Sequence, residues 1–460
     1  MHARLNTEFP LRRQWDRDCA RALLYTNQKN TDNGVMDAEK PDHTDPAEYT
    51  EKLHIQNFLS LKEIEWEIKP FNIITGDMGS GKSLIIKVLT FFEEILVSSI
   101  LLAPGFSRKL FENGNFFDRL TEKFRKLFYL NGNTYPGLRI VYSCKTNGSD
   151  FTVSVEWKKK DLFWKCDYLD KNLSKWSGYF SSPETPDMAQ EVRTRILDEI
   201  VHDFQDKLPI SSMFVAASRA ALPVVGSYTP FKDAYLYDFA RNKDFLLTYF
   251  DVSLSSELAN ILKVENIKKN PFDENDVVLI HKDGRMVPSL FSSSGQQELV
   301  YLLLLMKNLP DIEFNYGKML SIFIEEPSAH LFPKEQKELI ESIVALFRKE
   351  KKAHRRFFIT THSPYVLNVI NNMLRKGNTI DKCKKRNIDR INEVNEKIKF
   401  PALFAGEISA LFINEDGTGT PMLDDTEKML FAEKIAKISY LINQDTQKLD
   451  AVDDELFNTR

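Results

Sequence analysis

Residues 76–83 read Gly-Asp-Met-Gly-Ser-Gly-Lys-Ser, and this stretch decides the fold of the 460-residue chain. It matches GxxxxGK[S/T], a phosphate-binding loop (P-loop) in which backbone N–H groups surround phosphate oxygens. Residues 71–75 before it are strand-like, and the apolar run after Lys82 predicts a buried helix. A strand that leads in and a helix that leads out place a helix N-terminus against an anion. The stretch therefore predicts an α/β fold that binds a nucleoside triphosphate.

Each position of the loop has an expected function. Lys82 would reach the β- and γ-phosphates, and the hydroxyl of Ser83 would bind Mg²⁺. The alternative is a glycine-rich turn between a strand and a helix that contains a lysine by chance. The residues assigned to nucleotide binding are Gly76, Asp77, Met78, Gly79, Ser80, Gly81, Lys82 and Ser83.

A second element, residues 321–326, is an apolar strand that ends in two acids, Glu325 and Glu326. Two adjacent carboxylates at the end of a buried strand repel each other unless a cation compensates them. Mg²⁺ would be that cation, with Glu325 as its ligand and Glu326 as the general base that activates water. The alternative is a solvated turn before Pro327.

A third element, residues 291–297, precedes an apolar helix predicted at 299–306. Small residues at a helix start allow backbone N–H groups to approach an anion, and serine hydroxyls add donors. Ser293, Ser294, Gly295 and Gln296 are therefore assigned to nucleotide binding. The alternative is a serine that only caps the helix.

The fourth element is His362, which follows a predicted strand at 357–361. Ligands of open α/β sheets bind at the carboxyl ends of the strands, where this histidine is expected. It would donate a hydrogen bond to the γ-phosphate. A lone histidine is more often structural, and the three other elements make the functional reading stronger.

The composition excludes several classes of protein. With 42% hydrophobic and 28% charged residues, and a net charge of −4, the chain is typical of a globular protein without an overall attraction to DNA or membranes. The four cysteines have no metal-ligand spacing, so neither zinc nor a disulfide framework is expected. The first 25 residues lack an apolar signal segment. These features predict a cytoplasmic protein that does not insert into a membrane.

The remaining chain is predicted in less detail. Residues 1–50 are expected to be a flexible leader, and no heptad repeat indicates a coiled-coil arm. The predicted elements are strands at 53–58, 64–68, 151–157, 213–217, 320–324 and 408–414, helices at 117–127, 189–206, 335–347 and 427–442, a loop at 170–188, and a basic linker at 376–399. Strands that alternate with helices indicate a mostly parallel sheet.

Together the four elements resemble the ATP-binding-cassette (ABC) ATPase head, in the branch shared by the structural-maintenance-of-chromosomes (SMC) proteins and the overcoming-lysogenisation-defect (OLD) nucleases. Residues 76–83 match its Walker A motif, 292–297 its signature loop, 324–331 its Walker B motif and D-loop, and 360–364 its switch histidine. Residues 217–219 match a short motif of the same branch. The resemblance covers 51–100 and 210–375 well and the stretch between them poorly.

The resemblance implies an ABC-ATPase-like fold with a mixed N-terminal β-sheet, a parallel core sheet, and a helical and β insertion after Walker A. It also implies ATP and Mg²⁺ as cofactors, and homodimers in which each ATP lies between the Walker A of one subunit and the signature of the other. Ser293 and Gly295 would then act in trans. Three departures stand out: Asp77-Met78 within the loop, Glu325 in place of the commoner Asp, and no assignable Q-loop glutamine. They imply slow or partner-dependent hydrolysis.

Further implications concern partners. No Toprim nuclease pattern follows His362, so the chain resembles the stand-alone ATPase subunits of two-gene phage-defence systems, PARIS first and Septu second. In that interpretation it is a scaffold that holds a separate nuclease effector and responds to a phage-encoded trigger protein. The alternative is a DNA-repair ATPase that binds DNA directly through the basic tracts at 158–160, 351–356 and 382–386. The expected division is a leader (1–50), an ATPase core (51–104 and 210–375), an insertion (105–209) and a C-terminal segment (376–460).

Overall fold

The structure of the protein is a computed structural model. It describes residues 50–96, 106–130, 134–146, 150–182, 184–204, 211–217, 243–244, 246–248, 250–312, 319–350, 355–386 and 390–431. The predicted leader, Ser218-Arg219 of the short motif, Lys351-Lys352 and residues 432–442 of the predicted last helix lie outside these ranges.

The described part of the chain contains both strands and helices. The strands are β1 (Thr50–Phe58), β2 (Leu61–Glu67), β3 (Phe71–Gly76), β4 (Arg139–Lys145), β5 (Asp150–Lys158), β6 (Asp161–Lys165), β7 (Ser211–Val215), β8 (Asn266–Asn270), β9 (Asp273–Ile280), β10 (Met286–Pro288), β11 (Leu320–Glu325), β12 (Arg355–Thr361), β13 (Ile408–Ile413) and β14 (Gly419–Pro421). The helices are α1 (Lys82–Glu93), α2 (Asn115–Leu127), α3 (Asp167–Ser177), α4 (Pro186–Phe204), α5 (Ser256–Ile261), α6 (Ser294–Asn308), α7 (Pro333–Glu350), α8 (Pro364–Lys385) and α9 (Ile391–Lys397).

The strands form three sheets. The core sheet has the order β14-β13-β3-β12-β11-β7, and its strands from β13 to β7 are parallel. An antiparallel sheet has the order β2-β1-β4-β5-β6, so β4, which follows the P-loop helix, pairs with β1, and β5 and β6 extend the sheet beyond it. A small sheet, β10-β9-β8, precedes the signature loop. The predicted α/β class, with a mixed N-terminal part and a parallel core, is confirmed.

The core sheet is buried on both faces because its strands alternate between two apolar clusters. Phe323 and Phe358 face the cluster shared with α1 and the antiparallel sheet, whereas Ile322 and Phe357 face the cluster shared with α6, α7 and α8. Successive side chains of a strand point to opposite faces, so each strand contributes to both clusters. Strands covered on both faces read as continuous apolar runs, which is the pattern of 320–324 and 357–361.

The C-terminal segment contributes a strand to the core sheet. β13 pairs in parallel with β3, next to the P-loop. The turn after β13 contacts the turn between β1 and β2, where Lys62 N donates to Gly417 O (2.8 Å). Gly417 has a φ of +82°, and a Cβ there would lie 2.2 Å from Ser60 O, so only glycine fits this contact.

Three local predictions are wrong. Residues 170–188 were expected to be a loop, but α3 occupies 167–177, because Leu169, Leu173 and Trp176 recur at helical spacing and are buried. The expected linker at 376–399 is helical up to Lys385, because α8 continues along α7. Residues 427–431 are not helical but bend back, so that Leu430 bridges Leu423.

A buried ion cluster joins the antiparallel sheet to the core sheet. Arg356, at the start of β12, binds Glu51 of β1 and donates from Nη2 to Glu93 of α1 (2.7 Å) and to Ser321 of β11 (2.6 Å). Tyr142 of β4 donates to the other oxygen of Glu51 (2.8 Å). Burial raises the pKa of Glu93, and the guanidinium of Arg356 acts in the opposite direction. Five elements are therefore tied through one guanidinium and its partners.

No helix among the described residues combines the length and the apolar character needed to cross a membrane.

Candidate nucleotide-binding site

The P-loop, the two acids and His362 lie at one edge of the core sheet. β3, β12 and β11 are parallel neighbours, with Thr75 opposite Thr361 and Glu325 opposite Thr360. The P-loop, His362 and the two acids therefore follow strands that end side by side. This is the edge at which open α/β sheets bind ligands.

The P-loop wraps its own lysine. The ammonium group of Lys82 donates to the carbonyls of Gly76 and Asp77, each at 2.9 Å. Burial lowers the pKa of Lys82, whereas the nearby carboxylates of Glu326 and Asp77 act in the opposite direction. An ammonium has three donors, so one remains available to a phosphate oxygen.

Two glycines of the loop permit its close packing. Gly81 has a φ of +102° and caps α1, and a Cβ there would lie 2.8 Å from the Leu61 side chain. A Cβ on Gly76, whose φ is +148°, would lie 2.5 Å from Ile413 O. The loop thus passes between the β1–β2 turn and the end of β13, which explains both glycines.

Two serines of the loop differ in their surroundings. The Oγ of Ser80 is buried and has no hydrogen-bond partner among the described residues. Buried hydroxyls are nearly always hydrogen-bonded, so this atom suits a loop that receives a polar ligand. Ser83, in the first turn of α1, is exposed toward solvent. Met78, at the tip of the loop, is 95% exposed.

Glu325 and Glu326 are adjacent in sequence but differ in environment. Glu325 ends β11 with its side chain buried, and its Oε2 accepts from the backbone N of Ala217 (3.2 Å). Glu326 leaves the strand with a φ of +43°, in the left-handed region that non-glycine residues rarely adopt. Its backbone N compensates by donating to Thr360 O (3.0 Å) and to Thr360 Oγ1 (3.2 Å).

The backbone turn at Glu326 directs its carboxylate to His362. Glu326 Oε2 lies 2.9 Å from His362 Nδ1 and accepts from the His362 backbone N at 3.3 Å. The Glu326 side chain is 17% exposed and that of His362 is 65% exposed. The carboxylate is therefore held in place by the histidine while part of it still reaches solvent.

The signature loop is the N-terminus of α6, which begins at Ser294, five residues earlier than predicted. Ser293 caps it, and its side chain and that of Gln296 form a reciprocal capping box. Gln296 Nε2 also donates to Leu262 O (3.0 Å), so this side chain points toward the segment that follows α5. Ser293 and Ser294 are exposed. The first-turn amides of Ser294 and Gly295 have no acceptor within the helix.

An interior carboxylate anchors the segment before the signature loop. Asp276 of β9 accepts from the hydroxyls of Ser289 and Tyr301 (3.2 Å for Tyr301) and from Asn270 Nδ2 (3.3 Å). Burial, with the Asp276 carboxylate, raises the pKa of Tyr301, which keeps it a donor. The small sheet and α6 are thereby fixed to one another just ahead of Ser293.

The predicted site residues fall into two groups, one at the edge of the core sheet and one at the N-terminus of α6. Lys82, Glu325, Glu326 and His362 follow neighbouring strands. In the described part of the chain, the side-chain hydrogen bonds of Ser293 and Gln296 stay within the signature loop and Leu262.

Sequence reasoning missed three supporting residues: Thr360, Asp276 and Gln336. Gln336 Oε1 accepts a hydrogen bond from Ser363 Oγ (2.6 Å), next to His362. Thr360 belongs to the quoted stretch 360–364 and had a positional signal. Asp276 had none, since it stands in a polar run.

Comparison with protein families supports an ATPase domain. Residues 233–367 match the family model AAA_15, described as an AAA ATPase domain. The matched range contains the signature loop, Glu325, Glu326 and His362, whereas the P-loop lies before it. Residues 233–367 are therefore similar to an ATPase domain. No curated protein matches the chain.

Among solved structures, the chain is similar to the SMC head domain from Thermotoga maritima, with 15% identity, a TM-score of 0.32 and coverage of 70% of this chain and 91% of that one. It is also similar to the Smc head domain with an extended coiled coil bound to the C-terminal domain of ScpA, derived from Pyrococcus furiosus (13%, TM-score 0.37, coverage 86% and 99%). A third is the ATP-binding cassette MJ0796 in a dimeric post-hydrolysis state bound to ADP and Pi (10%, TM-score 0.30, coverage 80% and 98%).

Proposed function

We propose that this protein binds ATP and hydrolyses it to ADP and phosphate. The observation that carries the proposal is the pair formed by Glu326 and His362, which lies at the same sheet edge as Lys82. The Glu326 carboxylate acts to raise the pKa of that lysine, against the larger effect of burial. A carboxylate oriented by a histidine beside a phosphate-binding lysine suits the attack of water on a γ-phosphate.

Each residue has a proposed role. Lys82 holds the β- and γ-phosphates, the P-loop amides surround the β-phosphate, and the exposed His362 ring donates to the γ-phosphate. Glu326 accepts a proton from the attacking water, since it is partly exposed and held in one orientation.

Ser83 and Glu325 fit a Mg²⁺ ion. A hydroxyl and a single carboxylate are the protein ligands with which Mg²⁺ is commonly held next to substrate phosphates. When bound, the ion would neutralise charge that develops on the β- and γ-phosphate oxygens. The buried position of Glu325 at the end of β11 suits a carboxylate that faces a cation.

We further propose that two copies form the complete site. The amides of Ser294 and Gly295 and the hydroxyl of Ser293 form a second anion-binding helix start, and would contact the ATP held by another subunit's P-loop. Such a contact is isologous, so one dimer holds two nucleotides.

Replacing Glu326 with Gln tests the catalytic role. The variant should bind ATP and accumulate as an ATP-bound dimer. Its rate of phosphate release should fall about a hundredfold, as expected for loss of a general base. The matched control is Glu65→Gln, an exposed acid on β2 that should keep wild-type turnover. Turnover of Glu326→Gln at the wild-type rate would exclude Glu326 as the base.

We propose that the biological role of the ATPase is that of a nucleotide-switched scaffold and sensor in a two-component anti-phage system. It would resemble the AriA subunit of PARIS or, as second choice, PtuA of Septu, and would hold and release a separate, Toprim-type nuclease when a phage protein is sensed. The support is the combination of motifs and the inserted segment 105–209, whose strands β4, β5 and β6 extend the antiparallel sheet. The proposed ATPase core comprises 51–104 and 210–375, extended by β13 from the C-terminal segment.

Copurification tests this role. The protein, expressed with its neighbouring gene, should copurify with a nuclease, and the pair should reduce phage plating only when Lys82 is intact. A neighbour without nuclease activity, or protection that survives Lys82→Ala, would argue against it.

The second candidate is a DNA-binding ATPase of the repair type. One observation favours it: Lys382, Lys384, Lys385 and Arg386 are exposed at the end of α8. A competing explanation is that cations near a helix C-terminus stabilise its dipole. Arg355 and Arg356, by contrast, are buried and do not contribute to a basic surface. Salt-dependent DNA binding that is lost when the four α8 residues are replaced by Ala would favour this candidate, and no binding would exclude it.

A further inference from the structure

Gln336, in the first turn of α7, connects two loops of the proposed ATP site. Its Oε1 accepts from Ser363 Oγ (2.6 Å), and its Nε2 donates to the backbone carbonyl of Leu331 (2.8 Å). A carbonyl can only accept, so the orientation of the amide is determined by Leu331. Neither a carboxylate nor an apolar side chain could make both hydrogen bonds at neutral pH.

Ser363, the first partner of Gln336, belongs to the stretch 360–364 that contains His362, called the switch loop below. The hydroxyl that donates to Gln336 also caps α8 by accepting from Val366 N (3.4 Å), and Ser363 N donates to Thr361 Oγ1 (3.0 Å). His362 lies between these two residues. Gln336 is therefore hydrogen-bonded to the loop that carries His362, the proposed ligand of the γ-phosphate.

The Leu331 end belongs to the D-loop, residues 327–331. The D-loop adjoins the signature loop of the same subunit, because a Cβ on Gly295 would lie 3.2 Å from His330 O. His330 has a φ of +57°, so this segment adopts a backbone conformation that its contacts must maintain.

The D-loop is thus attached to the switch loop at both ends. Glu326, just before it, binds His362, and Gln336, just after it, binds Leu331 and Ser363. A segment held at two points moves with its support, whereas one held at a single point can pivot.

We propose that Gln336 is a positioning residue that transmits the position of His362 to the D-loop and, through it, to the signature loop that serves the second nucleotide. The inference rests on the proposed ATPase function. Gln336 acts through its hydrogen bonds to Ser363 and Leu331, so that the two halves of the composite site respond together.

Three variants of the full-length protein test this. Gln336→Leu removes both hydrogen bonds. Gln336→Glu keeps the acceptor for Ser363 but places a carboxylate against the Leu331 carbonyl. Asn372→Leu, which replaces an exposed amide on α8, is the matched control. For each, kcat, KM, the affinity for ATP and the melting temperature are measured.

The Gln336→Leu variant should keep its ATP affinity within about threefold and lose kcat by about tenfold, which corresponds to the loss of one or two hydrogen bonds. The Gln336→Glu variant should be impaired at pH 8 and recover as the pH falls, because a protonated carboxyl can again donate to Leu331 O. Other ionisable side chains lie nearby, namely His330, His362, Glu326 and the Lys263–Glu335 pair, so activity is expressed relative to wild type at each pH.

Several outcomes overturn the inference. One is a Gln336→Leu kcat equal to that of Asn372→Leu. Another is a joint fall of ATP affinity and melting temperature with no recovery of Gln336→Glu at low pH, because that indicates only local damage. If the wild-type protein binds ATP but does not hydrolyse it, the proposed ATPase function itself is wrong. This outcome is distinguished from the others because it is measured on the wild-type protein alone.

Discussion

Replacing Arg356 with Met tests the buried ion cluster. The guanidinium is buried on β12 and binds Glu51, Glu93 and Ser321. Met has a similar length without charge or donors. The variant therefore leaves two acidic side chains and a hydroxyl in the interior without their cation.

The expected decrease in the free energy of unfolding follows from these contacts. Removing one partner of a buried ion pair destabilises a protein by about 3–5 kcal/mol, because the other charge remains desolvated. The second carboxylate increases the loss, whereas the raised pKa of Glu93, caused chiefly by burial, reduces it because that group accepts a proton readily. About 4 kcal/mol is a reasonable value. With an unfolding entropy near 1 kcal/mol/K for 460 residues, the melting temperature should fall by about 4 °C.

The assay is thermal unfolding at pH 7, followed by circular dichroism. Arg375→Met, at an exposed position of α8, is the control and should change the melting temperature by less than about 1 °C. The triple variant Arg356→Met, Glu51→Gln, Glu93→Gln should regain at least half of the loss, because its buried groups are neutral.

ATP affinity should not change, since Arg356 lies at the opposite end of β12 from His362, about 20 Å away along the strand. The reasoning is refuted if Arg356→Met melts like Arg375→Met, or if the triple variant is no more stable than the single one.

Four further predictions address the site and its surroundings. Burial raises the pKa of Glu93 to about 8 from an ordinary 4.5. The contribution of Glu93 to the free energy of unfolding is therefore complete below about pH 4.5 and declines as the pH rises toward 8. The free energy of unfolding of Glu93→Gln, measured as a function of pH, should lack this decline. Lys82→Ala should abolish ATP binding, measured with a fluorescent ATP analogue, and retained affinity would contradict the P-loop assignment. Asp276→Ala should keep ATP binding but reduce phosphate release about tenfold, because the signature loop loses its anchor; unchanged turnover would show that the anchor is dispensable. Phe332, directly after the D-loop, is 80% exposed and should lie in the dimer interface. Adding Phe332→Asp to Glu326→Gln should therefore raise the dissociation constant of the ATP-dependent dimer at least about tenfold, measured by analytical ultracentrifugation. An unchanged dissociation constant would place the interface elsewhere.

Short-range patterns allowed the sequence alone to predict much of the site. The P-loop, the two acids after 320–324 and His362 each stand at the end of an apolar strand, and parallel strands bring such ends to one edge. The same reasoning failed at 170–188 and 376–399, where polar residues on the exposed faces of helices were taken for loops.

The sequence by itself determined which residues we propose to contact phosphate, because a P-loop and a strand-end acid are defined by immediate neighbours. Only the tertiary structure decided what holds them. Gln336 and Ser363 are 27 residues apart, and Arg356 and Glu51 are 305 apart. No local pattern encodes such pairs, because each side chain finds its partner only after β12 has joined the core sheet and β1 has packed against it. The position of β13 beside the P-loop has the same origin: its alternating apolar residues predict a strand, but not which strand it joins.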